Sequence, residues 1–198
     1  QLKVLVAYST VAQLGYIFLL FPLSELATNR NSLSSLASQA AVYFIVAHAC
    51  AKAAMFLSAG NLILSQGSGD IAQLKGIATR EPVNLLVFAI AGISLIGLPP
   101  SAGFIAKWLL LTASIESGQW WWVIVVLSGG LITAMYLSKI LNLAFTNKPL
   151  ATGSIAQTQP SRMLTAAALV LALITLALGL NAEFILNMAQ PTLQVSGR

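Results

Sequence analysis

Three side chains stand out as able to carry a proton: His48, Lys52 and Lys107, each inside a run of apolar residues. A lysine at the centre of a bilayer costs about 2.5–3.5 kcal/mol on insertion scales, so such residues face protein or water and mark ion and proton pathways. Burial disfavours the charged ammonium and brings the amine within reach of proton exchange. His48 precedes Lys52 by one helical turn, on the same face. Imidazole exchanges protons near neutral pH. Two positive charges about 7 Å apart, at an effective dielectric of about 20, repel by about 2.4 kcal/mol. A proton arriving at one site therefore tends to discharge the other, which is the physical content of a relay.

Other polar residues have more local readings. Lys3 and Lys139 lie near span ends and can snorkel to the interface, so Lys139 reads as a topology anchor. Ser9, Gln13 and Tyr16 share one face of the first apolar run, with Tyr8 and Thr10 close by. They can hold water or bond neighbouring helices. The five acidic residues, Glu25, Asp70, Glu81, Glu116 and Glu183, all fall in loops or at span ends. The buried lysines thus have no acidic partner in the apolar core, and their counter-charge must come from elsewhere.

The elements that position these residues are helices in a membrane. Of the 198 residues, 58% are hydrophobic and 8% charged, where soluble proteins average about 25% charged. Such a chain cannot cover a water-facing surface, and it is too apolar for disorder. One cysteine and one histidine exclude a disulfide framework, a Cys-based metal site and a multi-His site within this chain. No alternating ten-residue segments recur, which excludes a membrane β-barrel. The net charge of +5 comes from scattered single residues, which argues for membrane topology rather than nucleic-acid binding. The chain opens on Gln1 with no basic region and cleavage site, so the first apolar run is expected to be a membrane span and not a signal peptide. It reads as a segment of a longer protein or one half of a split one.

The expected fold is all-α, a polytopic transmembrane bundle forming a single domain over 1–198. Apolar runs cover 2–23, 35–65, 83–115, 120–145 and 162–180. The second exceeds the bilayer and must tilt or protrude. Polar loops are expected at Ser24–Ser34, Gln66–Pro82 and Thr146–Ser161, and an amphipathic tail after the last run. The third run is interrupted by Pro99-Pro100. Two prolines break a helix, and each half is short for a full span. Pro99, Pro100 and Gly103 therefore predict a helix break, with Leu98–Phe104 non-helical at membrane depth. Such backbone is tolerated only where protein or water satisfies it. Trp120-Trp121-Trp122 marks a headgroup level.

Loop charges weigh the alternatives. If 83–115 crosses once, Lys3, Lys75, Arg80, Lys139, Lys148 and Arg162 lie on one side, with Arg30 and Arg198 opposite. If it crosses twice, the division is even. The positive-inside rule prefers the first arrangement: five crossings, one of them broken, the N-terminal end cytoplasmic and the C-terminal tail on the other side.

The segments LKVLVAYSTVAQLGY (Leu2–Tyr16), HACAKAAMFLSAG (His48–Gly60) and GLPPSAGFIAKW (Gly97–Trp108) resemble the antiporter-like membrane subunits. These are shared by respiratory complex I (NADH:quinone oxidoreductase), Mrp-type cation/proton antiporters and membrane-bound hydrogenases. The resemblance covers nearly the whole chain and implies the last part of a fold of about fourteen helices built on two inverted five-helix repeats. It assigns 83–115 to the discontinuous helix of the second repeat. His48 and Lys52 then match a histidine and lysine of the central hydrophilic axis, and Lys107 the terminal lysine or glutamate of the second half-channel. Lys3 matches a basic residue opening the tenth helix, and Lys139 one facing the cytoplasm. The sequence departs at Phe44, where some members carry a second histidine, and at Gln1, where aspartate is usual. The first repeat is missing.

The expected function is that of a proton-translocating subunit, or split half-subunit, of a Mrp-type or complex I-like assembly. Protonation moves among His48, Lys52 and Lys107, with Lys3, Ser9, Gln13 and Tyr16 as further members of the polar axis. Lys107, after the break, is the exit-side site. Lys52, in an unbroken stretch, is the central and drier one. Two alternatives stand beside this: a redox-driven subunit of a quinone oxidoreductase or hydrogenase, and a structural half-subunit with no ion path of its own. The chain carries no redox or hydrolytic chemistry itself and calls for no cofactor or metal. Its expected partners are the lipid bilayer, other membrane subunits (one supplying the missing first repeat) and protons, with Na⁺ coupling open. No nucleic acid is expected. The expected location is an integral position in a plasma, thylakoid or organellar inner membrane.

Overall fold

The structure, a computed structural model, describes residues 1–25, 31–146, 160–183 and 186. Helices in chain order are α1 (Leu2–Phe18), α2 (Leu20–Glu25), α3 (Asn31–Gln66), α4 (Ile77–Arg80), α5 (Pro82–Ile96), α6 (Ala102–Glu116), α7 (Trp121–Phe145) and α8 (Arg162–Leu180). Among the described residues, four apolar helical stretches are long enough to cross a membrane: Leu2–Leu23, Leu36–Gln66, Trp121–Phe145 and Arg162–Leu180. No strand occurs among the described residues. At about 1.5 Å per residue, α3 is about 54 Å long, well beyond a bilayer core.

Several boundaries differ from the sequence expectation. The polar segment Ser24–Ser34 is helical wherever it is described: Ser24 and Glu25 close α2, and Asn31–Ser34 open α3. Polarity there ends the membrane span but not the helix, because a backbone helix continues into water at little cost. The expected loop Gln66–Pro82 folds into a 3-10 turn at Ile71–Leu74 followed by α4. Lys148, Arg30, Arg198 and almost all of the expected amphipathic tail lie outside the described residues.

The helix break spans Gly97–Ser101, shorter than the expected Leu98–Phe104. Gly97 ends α5 with φ 88°, a left-handed conformation that glycine adopts without penalty. Ser101 begins α6 as its N-cap, accepting a hydrogen bond from the Phe104 amide at 3.3 Å. Proline at 99 and 100 stops the first helix, and the serine cap starts the next at once. Ala102, Gly103 and Phe104 are therefore helical.

Two stacked layers make the core. In one, Leu2 and Val6 of α1, Ala51–Leu62 of α3, Leu85–Leu95 of α5, Leu137–Ala144 of α7 and Ala168–Ala172 of α8 supply the buried side chains. In the other, Tyr16 and Leu19, Ala37–Ala47 of α3, Ala102–Ala113 of α6 and Val126 of α7 do so, with the partly buried Leu178 of α8 packed against them. α5 packs along one half of α3 and α6 along the other. The half-helices follow one another down the bundle and do not double back.

At the first layer's end, the Leu2 amide donates to the Gly69 carbonyl at 2.8 Å. Beside it, Asn61 donates to Asn84 at 3.0 Å and to the Thr165 hydroxyl at 3.1 Å. Asn84 in turn donates to Glu81 at 2.8 Å. At the opposite end, Gln119 joins the Trp122 indole to the Pro22 carbonyl.

Candidate functional site

The polar stripe of α1 faces the bundle. Its buried residues are Leu2, Val6, Ser9, Gln13 and Tyr16, the alternating three- and four-residue spacing of one helical face. That spacing points Ser9, Gln13 and Tyr16 inward at three successive heights. Each meets one of the basic residues singled out from the sequence.

Lys52 enters from α3 and is 6% exposed. Its Nζ donates to the Val6 carbonyl at 2.9 Å and to the Ser9 hydroxyl. Ser9 itself donates back to the Val6 carbonyl at 2.9 Å. His48, one turn earlier, is half-buried and stacks its ring on Phe44, with centroids 5.8 Å apart. The sequence departure at Phe44 is thus an apolar wall against the imidazole. Nδ1 of His48 lies 3.1 Å from Oε1 of Gln13, while Nε2 is buried without a hydrogen-bond partner.

Lys107 is also 6% exposed, so the expectation that Lys52 is the drier of the two fails. Both ammonium groups are sealed inside the bundle, because α6 turns Lys107 back under the end of α5. There its Nζ donates to the carbonyls of Leu95 at 3.0 Å and Ile96 at 2.8 Å. These belong to the last turn of α5, whose carbonyls have no helical partner. A cation at a helix C-terminus is favoured by the helix dipole as well. The ring of Tyr16 adds its face, 5.3 Å from Nζ. Among the described residues no carboxylate meets Lys107, and the broken helix and an aromatic ring stand in for the counter-charge.

The same Leu95 carbonyl accepts from Nε2 of Gln13 at 3.2 Å. Lys107, Leu95, Gln13 and His48 form one connected chain of hydrogen bonds. A cavity of about 10 Å³ lies among Gln13, Phe44, His48, Ser94 and Lys107, room for about one water.

Gly103 lies in the first turn of α6, not in the break, and its role is close approach. A Cβ there would collide with the carbonyl of Ser94, where the two half-helices touch. Sequence reasoning missed Gly129 and Gly130 on α7. A Cβ on Gly129 would strike the Tyr16 hydroxyl, and one on Gly130 would sit 3.2 Å from the Ile96 carbonyl and 3.6 Å from Lys107 Nζ. A paired glycine inside an apolar span was the available signal, since small residues let membrane helices approach. Asn61 and Asn84, both 1% exposed, were also missed; amides in apolar runs could have flagged them. Lys3 and Lys139 are exposed and stand apart from the cluster.

Residues 1–133 match the family described as NADH:quinone oxidoreductase/Mrp antiporter, transmembrane. The chain belongs to this family. It is 32% identical over 141 residues to the NADH-quinone oxidoreductase subunit N of Desulforudis audaxviator, covering 71% of this chain and 26% of that one. It is 30% identical over 181 residues to a Na(+)/H(+) antiporter subunit of Alkalihalophilus pseudofirmus, covering 91% of this chain and 35% of that one. Its fold matches a chain in the structure of the Mrp complex from a Dietzia species with a TM-score of 0.79 at 25% identity, over 93% of this chain and 40% of that one. The chain therefore spans about a quarter to two-fifths of the length of these relatives. It is an integral, multi-pass membrane protein of the antiporter-like fold, and its relatives are subunits of larger assemblies.

Proposed function

We propose that this chain forms the second half-channel of a proton-translocating membrane subunit, with five crossings. α5 and α6 together make the one broken crossing: each has 15 residues, about 22 Å of helix, short of a bilayer core of about 30 Å. Among the described residues, Lys3, Lys75, Arg80, Lys139 and Arg162 lie at or towards the end of the bundle that holds the α1 N-terminus. That end is the cytoplasmic one by the positive-inside rule.

One observation carries the reading. The Lys107 ammonium rests on the free carbonyls of a broken helix and connects through Leu95 and Gln13 to His48. Carbonyl ligands hold an ammonium without a fixed negative charge, so the proton can leave without stranding a carboxylate. In the working cycle Lys107 exchanges its proton towards the far face of the membrane. Lys52 is the central site, and His48 passes protonation between them. Ser9, Gln13 and Tyr16 are the polar wall of the path. Lys3, at the cytoplasmic end, is the outermost member.

A groove of about 280 Å³ runs between α1 and α7, past Ser9, Gln13 and Tyr16. That groove supports a path that continues into the membrane subunit or repeat supplying the other half-channel. The driving event lies outside this chain, as cation exchange or as redox chemistry. The relatives include both an antiporter subunit and an oxidoreductase subunit.

The test is transport in vesicles containing the assembled complex, with Lys52→Met and Lys107→Met and complex content measured in parallel. Loss of proton transport or of Na⁺/H⁺ exchange at normal content is expected for both. Wild-type transport by Lys107→Met would reject the reading in favour of a structural role. Co-purifying hydrophilic Fe–S subunits would assign the redox driver, and small membrane subunits alone the antiporter.

A further inference from the structure

The Gln13 side chain has a geometry that only one hydrogen-bonding pattern satisfies. Its one terminal atom lies 3.2 Å from the Leu95 carbonyl oxygen. A carbonyl only accepts, so that atom is the NH₂ group. The other terminal atom is then Oε1, which only accepts, and it lies 3.1 Å from His48 Nδ1. Nδ1 must therefore carry the proton. The neutral imidazole has a single ring proton, so Nε2 is left as a bare lone pair. Nε2 is the ring atom that is buried with no partner, and His48 and Lys107 line the same small cavity.

We propose that Gln13 is a positioning residue that sets the tautomer of His48 and so aims its basic nitrogen at the cavity shared with Lys107. The inference rests on the proton-relay reading of His48 and Lys107. The Leu95 carbonyl anchors the amide and is itself a ligand of the Lys107 ammonium. A proton leaving Lys107 Nζ crosses the cavity, through one water, to His48 Nε2. The imidazole becomes an imidazolium with Nδ1–H still held by Gln13, and Lys107 becomes the neutral amine. The imidazolium then gives the same Nε2 proton to Lys52 as the neutral amine, one turn along α3, which restores the starting tautomer and leaves Lys52 protonated and Lys107 neutral. Without the amide, the single ring proton distributes between both nitrogens, and the fraction of rings with a free Nε2 falls.

The test uses the assembled complex in vesicles, comparing Gln13→Leu, Gln13→Met, Gln13→Glu, His48→Leu and the double variant Gln13→Leu/His48→Leu. Gln13→Leu and Gln13→Met keep the volume and remove the acceptor, and transport should fall about tenfold, within the range of a lost proton-transfer group. Gln13→Glu keeps an acceptor for Nδ1–H and should hold transport within about threefold of wild type, with its pH profile displaced. His48→Leu should be at least as slow as Gln13→Leu, and the double variant no slower than His48→Leu, as expected when the effect of the amide on transport runs through the ring; a double variant slower than His48→Leu would assign the effect to the Leu95 carbonyl and overturn the inference. Complex content is measured for each, and Gln13→Met stands in wherever Gln13→Leu assembles poorly. Wild-type transport by Gln13→Met with a slow His48→Leu overturns the inference alone. So does a Gln13→Glu variant as slow as Gln13→Leu, which would mark the amide as packing. Wild-type transport by His48→Leu overturns the underlying role of the histidine, and this inference with it.

Discussion

Lys52 and Lys107 are equally buried, each 6% exposed, yet their ligands differ in kind. Lys52 stands on a continuous helix and borrows the Val6 carbonyl of intact α1, with Ser9 completing the site. That carbonyl already serves the helix ladder. Lys107 instead takes two carbonyls released by the end of α5. The break therefore acts as a ligand. It converts backbone that would be costly in a membrane into a cradle for a cation, with the dipole of α5 pointing its negative end at the ammonium.

The largest effect should come from removing the group that the break was built to hold. Lys107→Met should lower transport by about 100-fold or more, as loss of a proton-transfer group does, with near-normal complex content. The reason for normal content is a cancellation. Exposed acceptors at Leu95 and Ile96 cost about 1–3 kcal/mol each when left unpaired, but a buried charge disappears at the same time. Gln13 also still donates to Leu95. Lys107→Glu should be intermediate, because a carboxyl group meets those carbonyls only as the protonated donor. Wild-type rates for Lys107→Met, measured by acidification of vesicles, would dissolve the comparison.

Next in size is the junction itself. Gly103→Val forces a side chain into the Ser94 carbonyl and should destabilise the subunit by about 1–3 kcal/mol or more, the range for overpacking. Gly60→Ala on α3, with nothing within 4 Å of the added Cβ, should leave thermal stability unchanged or slightly raised. Equal melting temperatures for the two purified variants would show that the half-helices are not in tight contact.

Ser9→Ala tests the other lysine. It removes one of two ligands of Lys52, and a hydrogen bond to a charged group is worth about 1.5–3 kcal/mol. Transport should slow by about three- to tenfold, less than for Lys107→Met, since the Val6 carbonyl remains. A larger loss than Lys107→Met produces would invert the ranking of the two sites.

The smallest effect expected is that of Tyr16→Phe. The hydroxyl makes only a 3.4 Å hydrogen bond to the Val126 carbonyl, while the ring face that meets Lys107 is kept. Transport should change by less than about twofold, whereas Tyr16→Leu, which removes the cation–π contact worth about 0.5–2 kcal/mol, should cost several-fold. Equal rates for the Phe and Leu variants would remove the aromatic ring from the set of Lys107 ligands.

Much of the architecture was legible in the order of residues. Long apolar runs specify helices because a bilayer allows the backbone no other partners, and the 121–145 and 162–180 helices fall within a residue of their apolar runs. Pro99-Pro100 specified the break, since proline cannot donate into a continuing helix. Lys52 and Lys107 were legible as buried groups because charge in an apolar run is rare and costly, and His48, one turn away, is half-buried beside them. That Ser9, Gln13 and Tyr16 share one face followed from helical spacing alone, while the packing of α1 turned that face inward.

Tertiary structure decided what those groups touch. No local pattern says that Lys107 turns back onto the α5 carbonyls, that Gln13 bridges Leu95 and His48, or that Gly129 and Gly130 make room for Tyr16 and Lys107. These contacts join residues far apart in the chain, and their geometry depends on how α1, α5, α6 and α7 cross. The end of the break at Ser101, and not at Phe104, rests on a serine cap that accepts from the Phe104 amide and donates to the Leu98 carbonyl across the break. Sequence by itself determined which residues had to be hidden from lipid; packing decided which carbonyls, rings and amides hid them, because those partners are backbone and side-chain groups brought together only when the helices meet.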